Sequence, residues 1–368
     1  MTQCLPPLLT PLDTALVRLL GGLDSVAPIE LPLADARGCV AAEMPPLAAC
    51  PPHDIAAVDG WALSAGDVVG ASSYSPAQLA ALPAWVEAGD AMPSGCDCVL
   101  DAAAVDTSGP IAEVLADGVP GRGVRRAGSD HAGGKPVVAA GLEIRTHHLL
   151  LARAAGLKTL SVRRPRLRLV NVPGGTATAA VIAELARTAG ADAIVVEARA
   201  RDAESVADAA DSVACDLLLT IGGSGPGRCD ATVAALSECG ELLAHGIALH
   251  PGKTTALGRI GTVPVIALPG SPDQALAAWL ALALPLLDRL SGRQSRKPVS
   301  LPLARKVASG VGIAELALLA NDRGTWLPLA AGDLPLQAIA RADAWLLVPA
   351  NSEGFAAGAA VDAYLMWE

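Results

Sequence analysis

Three glycine turns between residues 216 and 272 have the composition of an anion-binding site. The apolar run 216–221 leads into Gly-Gly-Ser-Gly-Pro-Gly at 222–227, and two further runs lead into Pro-Gly turns at 251–252 and 269–270. A short apolar run bounded by glycines is typical of a buried strand, and the glycine turn after it can present backbone N–H groups to an anion. We expect the three turns to lie at the carboxyl edge of one sheet, where open α/β folds bind ligands. For any single turn, an ordinary strand–helix connection is the alternative.

Three charged residues stand beside such turns. Asp230 follows the first turn and occupies the position of a helix N-cap. Lys253 follows Pro251-Gly252 and carries a fixed positive charge, although a lone lysine after Pro-Gly is more often a surface residue. Asp59 precedes Gly60 in an alanine-rich stretch. A turn explains the glycine, but it does not explain why acidic residues occur in this stretch. A carboxylate there could bind Mg²⁺ or an Mg²⁺-bridged phosphate.

The composition excludes several classes of protein. A chain of 368 residues is expected to form roughly two to four domains. Its net charge of −10 argues against a general nucleic-acid surface. The longest apolar run, 275–287, is too short to span a bilayer and no leader opens the chain, so we expect a cytoplasmic protein without a membrane segment. The eight cysteines are scattered, which favours reduced thiols over a zinc site.

The patterning predicts an α/β region with β-rich segments on either side. The strand 167–172, the helix 177–189 and the strand 193–196 are typical of a parallel pair with a crossover helix. The remaining predicted elements are a helix capped by Thr10 with Pro11 as its first residue, an edge strand at 29–33, a β-rich insert at 64–136, a helix ending near Ala155, a polar linker at 293–298 and tail strands at 299–303, 326–329, 344–349 and 359–365.

Several segments agree with one family pattern along nearly the whole chain. They are C-P-P-H-D-I-A-A-V-D-G-W-A-L at 50–63 and the segments at 85–99, 124–130, 222–230, 245–253 and 266–272. The chain resembles the molybdopterin molybdenumtransferases, which are the MoeA proteins of bacteria and the E domain of gephyrin. The corresponding family patterns include P-P-F-D-N-S-A-M-D-G-Y-A, R-x-x-G-E-D, G-G-V-S-V-G, K-P-G-K and L-P-G-x-P.

The resemblance implies a set of site residues. It implies that Asp59, Asp130, Asp230 and Lys253 act in catalysis and that Asp59 and Asp230 hold Mg²⁺. The residues that it implies for cofactor binding are Gly222, Gly223, Ser224, Gly225, Asp202, Pro251, Gly252, Pro269, Gly270, Ser271 and Arg126. On the residues alone, a solvated loop of alternating charges is an equally good interpretation of the segment with Arg126 and Asp130.

The chain also departs from the family pattern. Ala88 replaces a threonine, Ser129 a glutamate and His250 the first lysine of K-P-G-K. Gly-Gly-Thr-Ala-Thr at 174–178 stands in place of T-G-D-E-L, and the D-x-N segment that follows in the family is missing. Pro226 removes one possible N–H donor from the first glycine turn. These departures weaken the prediction of catalytic activity more than the prediction of the fold.

The resemblance implies an elongated, multidomain α/β plus β fold. The expected domains are a linking domain (1–41 and 137–164), a β-rich insert (42–136), an α/β molybdopterin-binding domain (165–294) and a β-barrel-like C-terminal domain (295–368). The implied reaction inserts molybdenum from molybdate into adenylylated molybdopterin, with Mg²⁺-assisted release of AMP. The implied assembly is a homodimer, with molybdopterin adenylyltransferase and apo-molybdoenzymes as possible partners. A catalytically weak paralogue that binds or delivers the cofactor, and a purely structural scaffold, are the alternatives.

Overall fold

The computed structural model describes residues 8–210 and 215–366 of the chain. These residues form two compact units. The larger unit contains the described residues up to Glu43, the segment Ala139–Arg145 and the described residues from Thr159 onward; the smaller unit contains Met44–Val138 and Thr146–Lys158. No helix in the described ranges has the length and apolar character needed to cross a membrane.

Helices account for a modest part of the chain. They are α1 (Leu12–Leu20), α2 (Thr146–Ala154), α3 (Thr176–Thr188), α4 (Ala203–Ala209), α5 (Thr232–Cys239), α6 (Pro272–Ala278), α7 (Leu284–Ser291) and α8 (Leu336–Ile339), with short 3₁₀ turns at Ala65–Val68 and Ala102–Ala104.

Strands are numerous and mostly short. Up to residue 163 they are β1 (Ile29–Pro32), β2 (Val40–Ala41), β3 (Ile55–Ala56), β4 (Gly60–Leu63), β5 (Ser72–Gln78), β6 (Ala84–Val86), β7 (Cys98–Leu100), β8 (Val105–Asp106), β9 (Glu113–Ala116), β10 (Val124–Arg125) and β11 (Thr159–Arg163). From residue 166 they are β12 (Arg166–Asn171), β13 (Asp192–Glu197), β14 (Leu217–Ile221), β15 (Glu241–His245), β16 (Leu249–His250), β17 (Ala256–Ile260), β18 (Val263–Leu268), β19 (Val299–Pro302), β20 (Val307–Ala308), β21 (Ala314–Asp322), β22 (Thr325–Ala331), β23 (Ala344–Val348), β24 (Gly354–Phe355) and β25 (Ala360–Leu365).

A six-stranded sheet forms the centre of the larger unit, in the order β13-β12-β14-β18-β17-β15. The first four strands are parallel, and β17 and β15 add antiparallel pairs. Successive side chains of a strand point to opposite faces, and both faces are covered here. Leu217 and Leu219 of β14 pack in the cluster with α1, α3, α6 and α7, whereas Leu218 packs with residues of α4 and α5. This two-sided burial explains why β14 is apolar almost throughout.

The long apolar helix that follows β18 contains a π turn. Trp279–Ala283 joins α6 to α7 as a π segment, and Pro285 lies at the start of α7. Proline lacks an N–H and its ring clashes with the preceding turn, so a π turn just before it absorbs the misfit. Trp279 is only 1% exposed there, which places the largest side chain of the helix in the core.

The C-terminal sheet has the order β16-β21-β23-β25-β19, and β22 also pairs with β21. Two features of it differ from the sequence expectation. The long strand β21 was not predicted, because its alanine- and leucine-rich sequence lacks strand signals. The strand β16, which leads into Pro251-Gly252, pairs with β21 of this sheet. The expectation that all three glycine turns follow strands of one sheet is therefore wrong for this turn.

The smaller unit is built from short antiparallel strands, in the orders β6-β4-β7, β5-β9-β8 and β10-β3. Trp61 of β4 and Trp85 of β6 are cross-strand partners whose rings meet edge to face, with centroids 5.2 Å apart. Gly60 begins β4, and a Cβ there would collide with the carbonyl oxygen of Leu100. The glycine of the Asp59-Gly60 pair is therefore required by close packing of two strands, as well as by any turn.

The expected fold class, a multidomain α/β plus β protein, is confirmed. Two helix starts differ from the prediction. Thr10 does not cap α1, because its backbone pairs with the strand-like segment at Gly246 and Ala248, and Pro11 is the N-cap residue. Asp230 does not cap α5, whose N-cap residue is Ala231. The four domain boundaries stay a prediction, and their ends at 1–7 and 367–368 lie outside the described residues. The cysteines of the described ranges are free thiols.

Candidate functional site

A cavity of about 300 Å³ lies at the carboxyl ends of β12, β14 and β18 in the larger unit. Three loops form most of its wall: 172–175 after β12, 222–225 after β14 and 269–271 after β18. The remaining lining residues are Arg201, Asp230, Thr254 and Gln274. The turns after β14 and β18 thus meet at one sheet edge, as the sequence predicts, and this edge is where open α/β folds bind ligands.

The first two residues of the turn after β14 have backbone angles that favour glycine. Gly222 and Gly223 have φ of 92° and 72°, values that L side chains rarely adopt. A Cβ on Gly223 would collide with the hydroxyl oxygen of Thr232. That hydroxyl donates to the carbonyl oxygen of Gly222 at 2.9 Å, and the Thr232 N–H donates to that of Gly223 at 3.1 Å. The first turn of α5 therefore holds the glycine turn in place.

The turn after β18 is fixed against its neighbours in the same way. The Thr178 hydroxyl of α3 donates to the carbonyl oxygen of Gly270 at 2.8 Å. A Cβ on Gly270 would lie 3.4 Å from the Cα of Gly222. The two glycine turns thus approach each other backbone to backbone at the cavity.

Arg201 and Asp230 are the charged residues of the cavity wall. The Arg201 guanidinium donates from Nη2 to Asp230 Oδ1 at 3.0 Å, and its Nη1 lies 3.5 Å from the carbonyl oxygen of Pro173. The second carboxylate oxygen of Asp230 accepts the Gly227 N–H at 3.1 Å. The ion pair therefore connects the loop after β13 to the glycine turn after β14, and the Arg201 guanidinium is the positively charged group of the cavity wall.

Ser224 has an unusual environment in this wall. The residue is 1% exposed, and its hydroxyl oxygen is buried with no hydrogen-bond partner. His245 Nε2 contacts the Ser224 carbonyl oxygen at 3.0 Å but not the hydroxyl. A buried unpaired hydroxyl costs stability, so a ligand atom is a reasonable partner for a side chain that lines a cavity.

The structure brings together many of the predicted site residues of the α/β region, namely Asp230 of the catalytic set and seven of the cofactor-binding set. Those that line the cavity are Gly222, Gly223, Ser224, Gly225, Asp230, Pro269, Gly270 and Ser271. Lys253 is exposed and lies outside the lining, although its neighbour Thr254 belongs to it; Pro251 and Gly252 are buried.

Asp202 also lies outside the cavity lining. It is the N-cap residue of α4, and its carboxylate accepts the Ser205 N–H at 2.8 Å. Hydrogen bonding to Ser205 lowers the pKa of the Asp202 carboxyl, because it favours the charged form. Asp202, the residue next to Arg201, thus has a local structural role: it starts helix α4.

The other predicted site residues belong to the smaller unit. Asp59 is exposed, and its Oδ1 accepts the Ala88 N–H at 2.8 Å, which joins the two family-like segments 50–63 and 85–99. Asp130 lies 3.6 Å from Arg125 Nε, whereas Arg126 is exposed with its guanidinium close to Gly121.

Four parts of the cavity wall were not predicted from the sequence: Arg201, Thr254, Gln274 and the loop 172–175. One signal was present: Arg201 lies in the loop that follows a predicted strand parallel to its neighbour, and such loops gather at the ligand-binding edge. Its pairing with Asp230 spans 29 residues of sequence, so no local pattern could indicate it.

The donor set around Asp230 does not fit the Mg²⁺ site that the resemblance implies. Mg²⁺ takes carboxylate and water oxygens in octahedral geometry, but both Asp230 oxygens already accept hydrogen bonds. The adjacent guanidinium also repels a cation. No group of three or more His, Cys, Asp or Glu side chains in the described ranges could hold a metal ion. Asp59, the other predicted ligand, is a residue of the smaller unit.

Two family models match this chain and together cover most of it. The model described as the MoeA N-terminal region (domains I and II) matches residues 10–156. The model described as a probable molybdopterin-binding domain matches residues 166–289, which contain the cavity. The chain belongs to the MoeA family.

Relatives and solved structures agree with membership of the MoeA family. Molybdopterin molybdenumtransferase 1 of Mycobacterium tuberculosis is 26% identical, and the match covers 91% of this chain and 94% of the relative. A putative molybdopterin biosynthesis protein of Methanocaldococcus jannaschii is 26% identical, covering 84% and 85%. A crystal structure of a molybdopterin biosynthesis MoeA protein from Pyrococcus horikoshii superposes with a TM-score of 0.73 at 26% identity, covering 97% of this chain and 99% of that one.

Proposed function

We propose that this chain is a molybdopterin molybdenumtransferase of molybdenum cofactor biosynthesis. The reaction inserts molybdenum from molybdate into adenylylated molybdopterin and releases AMP. The observation that carries the proposal is the cavity at the carboxyl ends of β12, β14 and β18, within the residues that match the molybdopterin-binding model. The names of the full-length relatives support the same reaction.

The chemistry of the cavity suits an anionic substrate with phosphate oxygens. Arg201 offers planar N–H donors that match phosphate or molybdate oxygens. Ser224 and Ser271 add hydroxyl groups. The chain's own residues would bind and orient the substrate and stabilise the negative charge that develops as the phosphate bond breaks. The proposal routes no step through Mg²⁺, because the donor set around Asp230 does not fit it.

The remaining parts of the proposal rest on the family. We propose a cytoplasmic homodimer that receives its substrate from a molybdopterin adenylyltransferase and supplies apo-molybdoenzymes. Lys253, Asp59 and Asp130 keep their predicted catalytic roles in this proposal, and Arg126 keeps its predicted role in cofactor binding.

Rescue of a mutant bacterium tests the proposed function. The chain is expressed in a strain that lacks its own molybdenumtransferase, its solubility is checked, and nitrate reductase activity is measured at ordinary molybdate. We expect activity to return with the natural sequence and to be lost with Asp59→Ala or Lys253→Ala. Failure of the soluble natural sequence to restore activity would contradict the proposal.

A cofactor carrier is the second candidate function. The observation that favours it is the single carboxylate of the cavity wall, Asp230, which is engaged by Arg201. The loop 173–178 has no acid where the family pattern has two. A carrier binds molybdopterin but releases no AMP, so binding without rescue would favour this function over the transferase.

A further inference from the structure

We propose that Arg201 holds a phosphate group of the ligand directly, and that phosphate binding in this cavity needs no divalent cation. The inference deepens the proposed function and rests on it for the identity of the ligand as an adenylate.

Charge in the cavity wall favours an anion over a metal ion. Arg201 and Asp230 are the charged residues among those that line the cavity, and they pair with each other. A divalent cation would meet one carboxylate whose two oxygens already accept from Arg201 and Gly227. It would also lie close to the positively charged guanidinium of Arg201, which repels it. A phosphate group meets the guanidinium, which attracts it.

Arg201 has the donor capacity for this role. An arginine carries five N–H donors in a planar fork, which is more than the contacts to Asp230 and Pro173 use. The Arg201 side chain is 47% exposed whereas that of Asp230 is 15% exposed. The carboxylate thus lies behind the guanidinium and orients it, while the guanidinium remains accessible to a ligand.

The loop after β12 provides the space for the guanidinium. Gly174 has a φ of 106°, and a Cβ there would lie 3.6 Å from Arg201 Nη1. At the neighbouring Gly175 a Cβ would lie 2.8 Å from the Asn171 side-chain oxygen. A larger residue at Gly174 would narrow the space beside Arg201, and one at Gly175 would displace the end of β12 that carries this loop.

The buried hydroxyl of Ser224 gives independent support for a ligand. Ser224 lines the same cavity, and its hydroxyl has no hydrogen-bond partner, a state in which native proteins rarely leave such a group. A phosphate oxygen accepts from a hydroxyl and from a guanidinium at the same time, so one bound group satisfies both.

Calorimetric titration of the full-length chain with AMP, and separately with inorganic pyrophosphate, tests the proposal. Each titration is run with EDTA and with Mg²⁺. The variants are Arg201→Gln, Arg201→Lys and, as the matched control, Arg199→Gln. Arg199 pairs with Asp208 and lies outside the cavity lining, two positions from Arg201. Circular dichroism checks that each variant is folded.

The natural sequence should bind AMP with EDTA present, and Mg²⁺ should change its Kd by less than about 3-fold. Because charged hydrogen bonds are lost, Arg201→Gln should weaken binding by about 10- to 100-fold. Arg201→Lys should recover part of the loss, and Arg199→Gln should bind as the natural sequence does.

Three results would overturn the proposal: binding that requires Mg²⁺, binding that Arg201→Gln leaves intact, or no binding of either phosphate compound. The comparison with and without Mg²⁺ uses the natural sequence, so it stands even if Arg201→Gln fails to fold. Rescue of nitrate reductase decides the transferase function separately. Rescue together with Mg²⁺-dependent AMP binding would reject cation-free phosphate binding and keep the proposed function.

Discussion

Arg201 and Asp230 follow different strands of the central sheet and are joined by a hydrogen-bonded ion pair, with Nη2 3.0 Å from Oδ1. The pair connects the loop after β13 to the glycine turn after β14. The position of the Arg201 guanidinium in the cavity therefore depends on the position of the turn. The same carboxylate accepts the Gly227 N–H. Asp230 therefore acts in this structure as a support for the turn and for Arg201 rather than as an open metal ligand.

Removal of the buried hydroxyl in Ser224→Ala should separate ligand binding from stability. The hydroxyl has no partner in the folded chain, so its loss should leave the free energy of unfolding unchanged within about 1 kcal/mol or raise it. AMP affinity should fall by about 3- to 10-fold, because one hydrogen bond to a phosphate oxygen is lost. Calorimetry and urea unfolding measure the two quantities. A clear loss of stability with unchanged affinity would contradict this interpretation.

Gly223→Ala should disrupt the turn after β14. The φ of 72° disfavours alanine, and the added methyl group collides with the Thr232 hydroxyl. Gly261→Ala is the matched control, since Gly261 has a φ of 60° in the β17–β18 connection but nothing lies within 4 Å of the position that its added methyl group would take. We expect the control to cost about 1 kcal/mol of unfolding free energy and Gly223→Ala at least about 1 kcal/mol more. Equal costs in urea unfolding would show that the collision with Thr232 is relieved without penalty.

The cap at Asp202 should make the stability of the chain depend on pH in the acidic range. Its carboxyl pKa is lowered below the ordinary value of 3.8 by the hydrogen bond from Ser205. The charged form stabilises the fold, so the contribution is complete above that ordinary value and is lost as pH falls through the lowered pKa. The melting temperature of Asp202→Ala should therefore lie below that of the natural sequence at pH 6, with the gap narrowing below pH ~4.

Asp202→Asn provides the control for this prediction. Asparagine also caps helices, so its melting temperature at pH 6 should lie close to that of the natural sequence, without the change in the acidic range. All three proteins should bind AMP alike, because Asp202 lies outside the cavity lining. A gap between Asp202→Ala and the natural sequence that stays constant down to pH ~3 would count against an ionised cap.

Asp288 should be a strong contributor to the stability of the larger unit. Its oxygens pair with Arg296 at 2.7 and 2.8 Å and with Arg293 Nε at 3.4 Å, and the three side chains are 10–20% exposed. Asp288→Ala leaves two largely buried guanidinium groups without this partner, so we expect a loss of about 3 kcal/mol in unfolding free energy. The measurement is chemical denaturation followed by tryptophan fluorescence.

Asp208→Ala is the matched control for Asp288→Ala. Its partner Arg199 is 74% exposed and Asp208 itself 55% exposed, and exposed ion pairs contribute about 1 kcal/mol or less. If the two substitutions cost the same, burial does not set the strength of the Asp288 network.

The glycine turns show how far the sequence alone could reach. The runs before Gly222 and Pro269 are apolar on both faces of the strand, as expected for a sheet that is covered on both sides, and this placed both turns at one edge. The strand before Pro251 is two residues long and pairs with β21 in another sheet. Nothing in so short a segment specifies its partner, because pairing partners are set by the tertiary fold.

The residues that the sequence did not reveal are those defined by long-range contacts. Asp230 has the type and position of a helix cap, yet its carboxylate turns to Arg201 and Gly227, and Ala231 starts the helix. The local rule failed because a charged partner from the loop after β13 competes with the helix N–H groups for the same oxygens. The strand β21 was missed for a similar reason, since its neighbours β22 and β23 decide its conformation.

AMP release by the purified chain is the most direct test of the central claim. Adenylylated molybdopterin is mixed with the protein, with and without molybdate, and AMP is quantified by chromatography. The account predicts AMP release that depends on molybdate and on the natural sequence, with Arg201→Gln lowering the rate by at least about 10-fold and Arg199→Gln leaving it unchanged. Tight binding of the adenylylated molybdopterin with no AMP release at any molybdate concentration would contradict the account and identify a carrier.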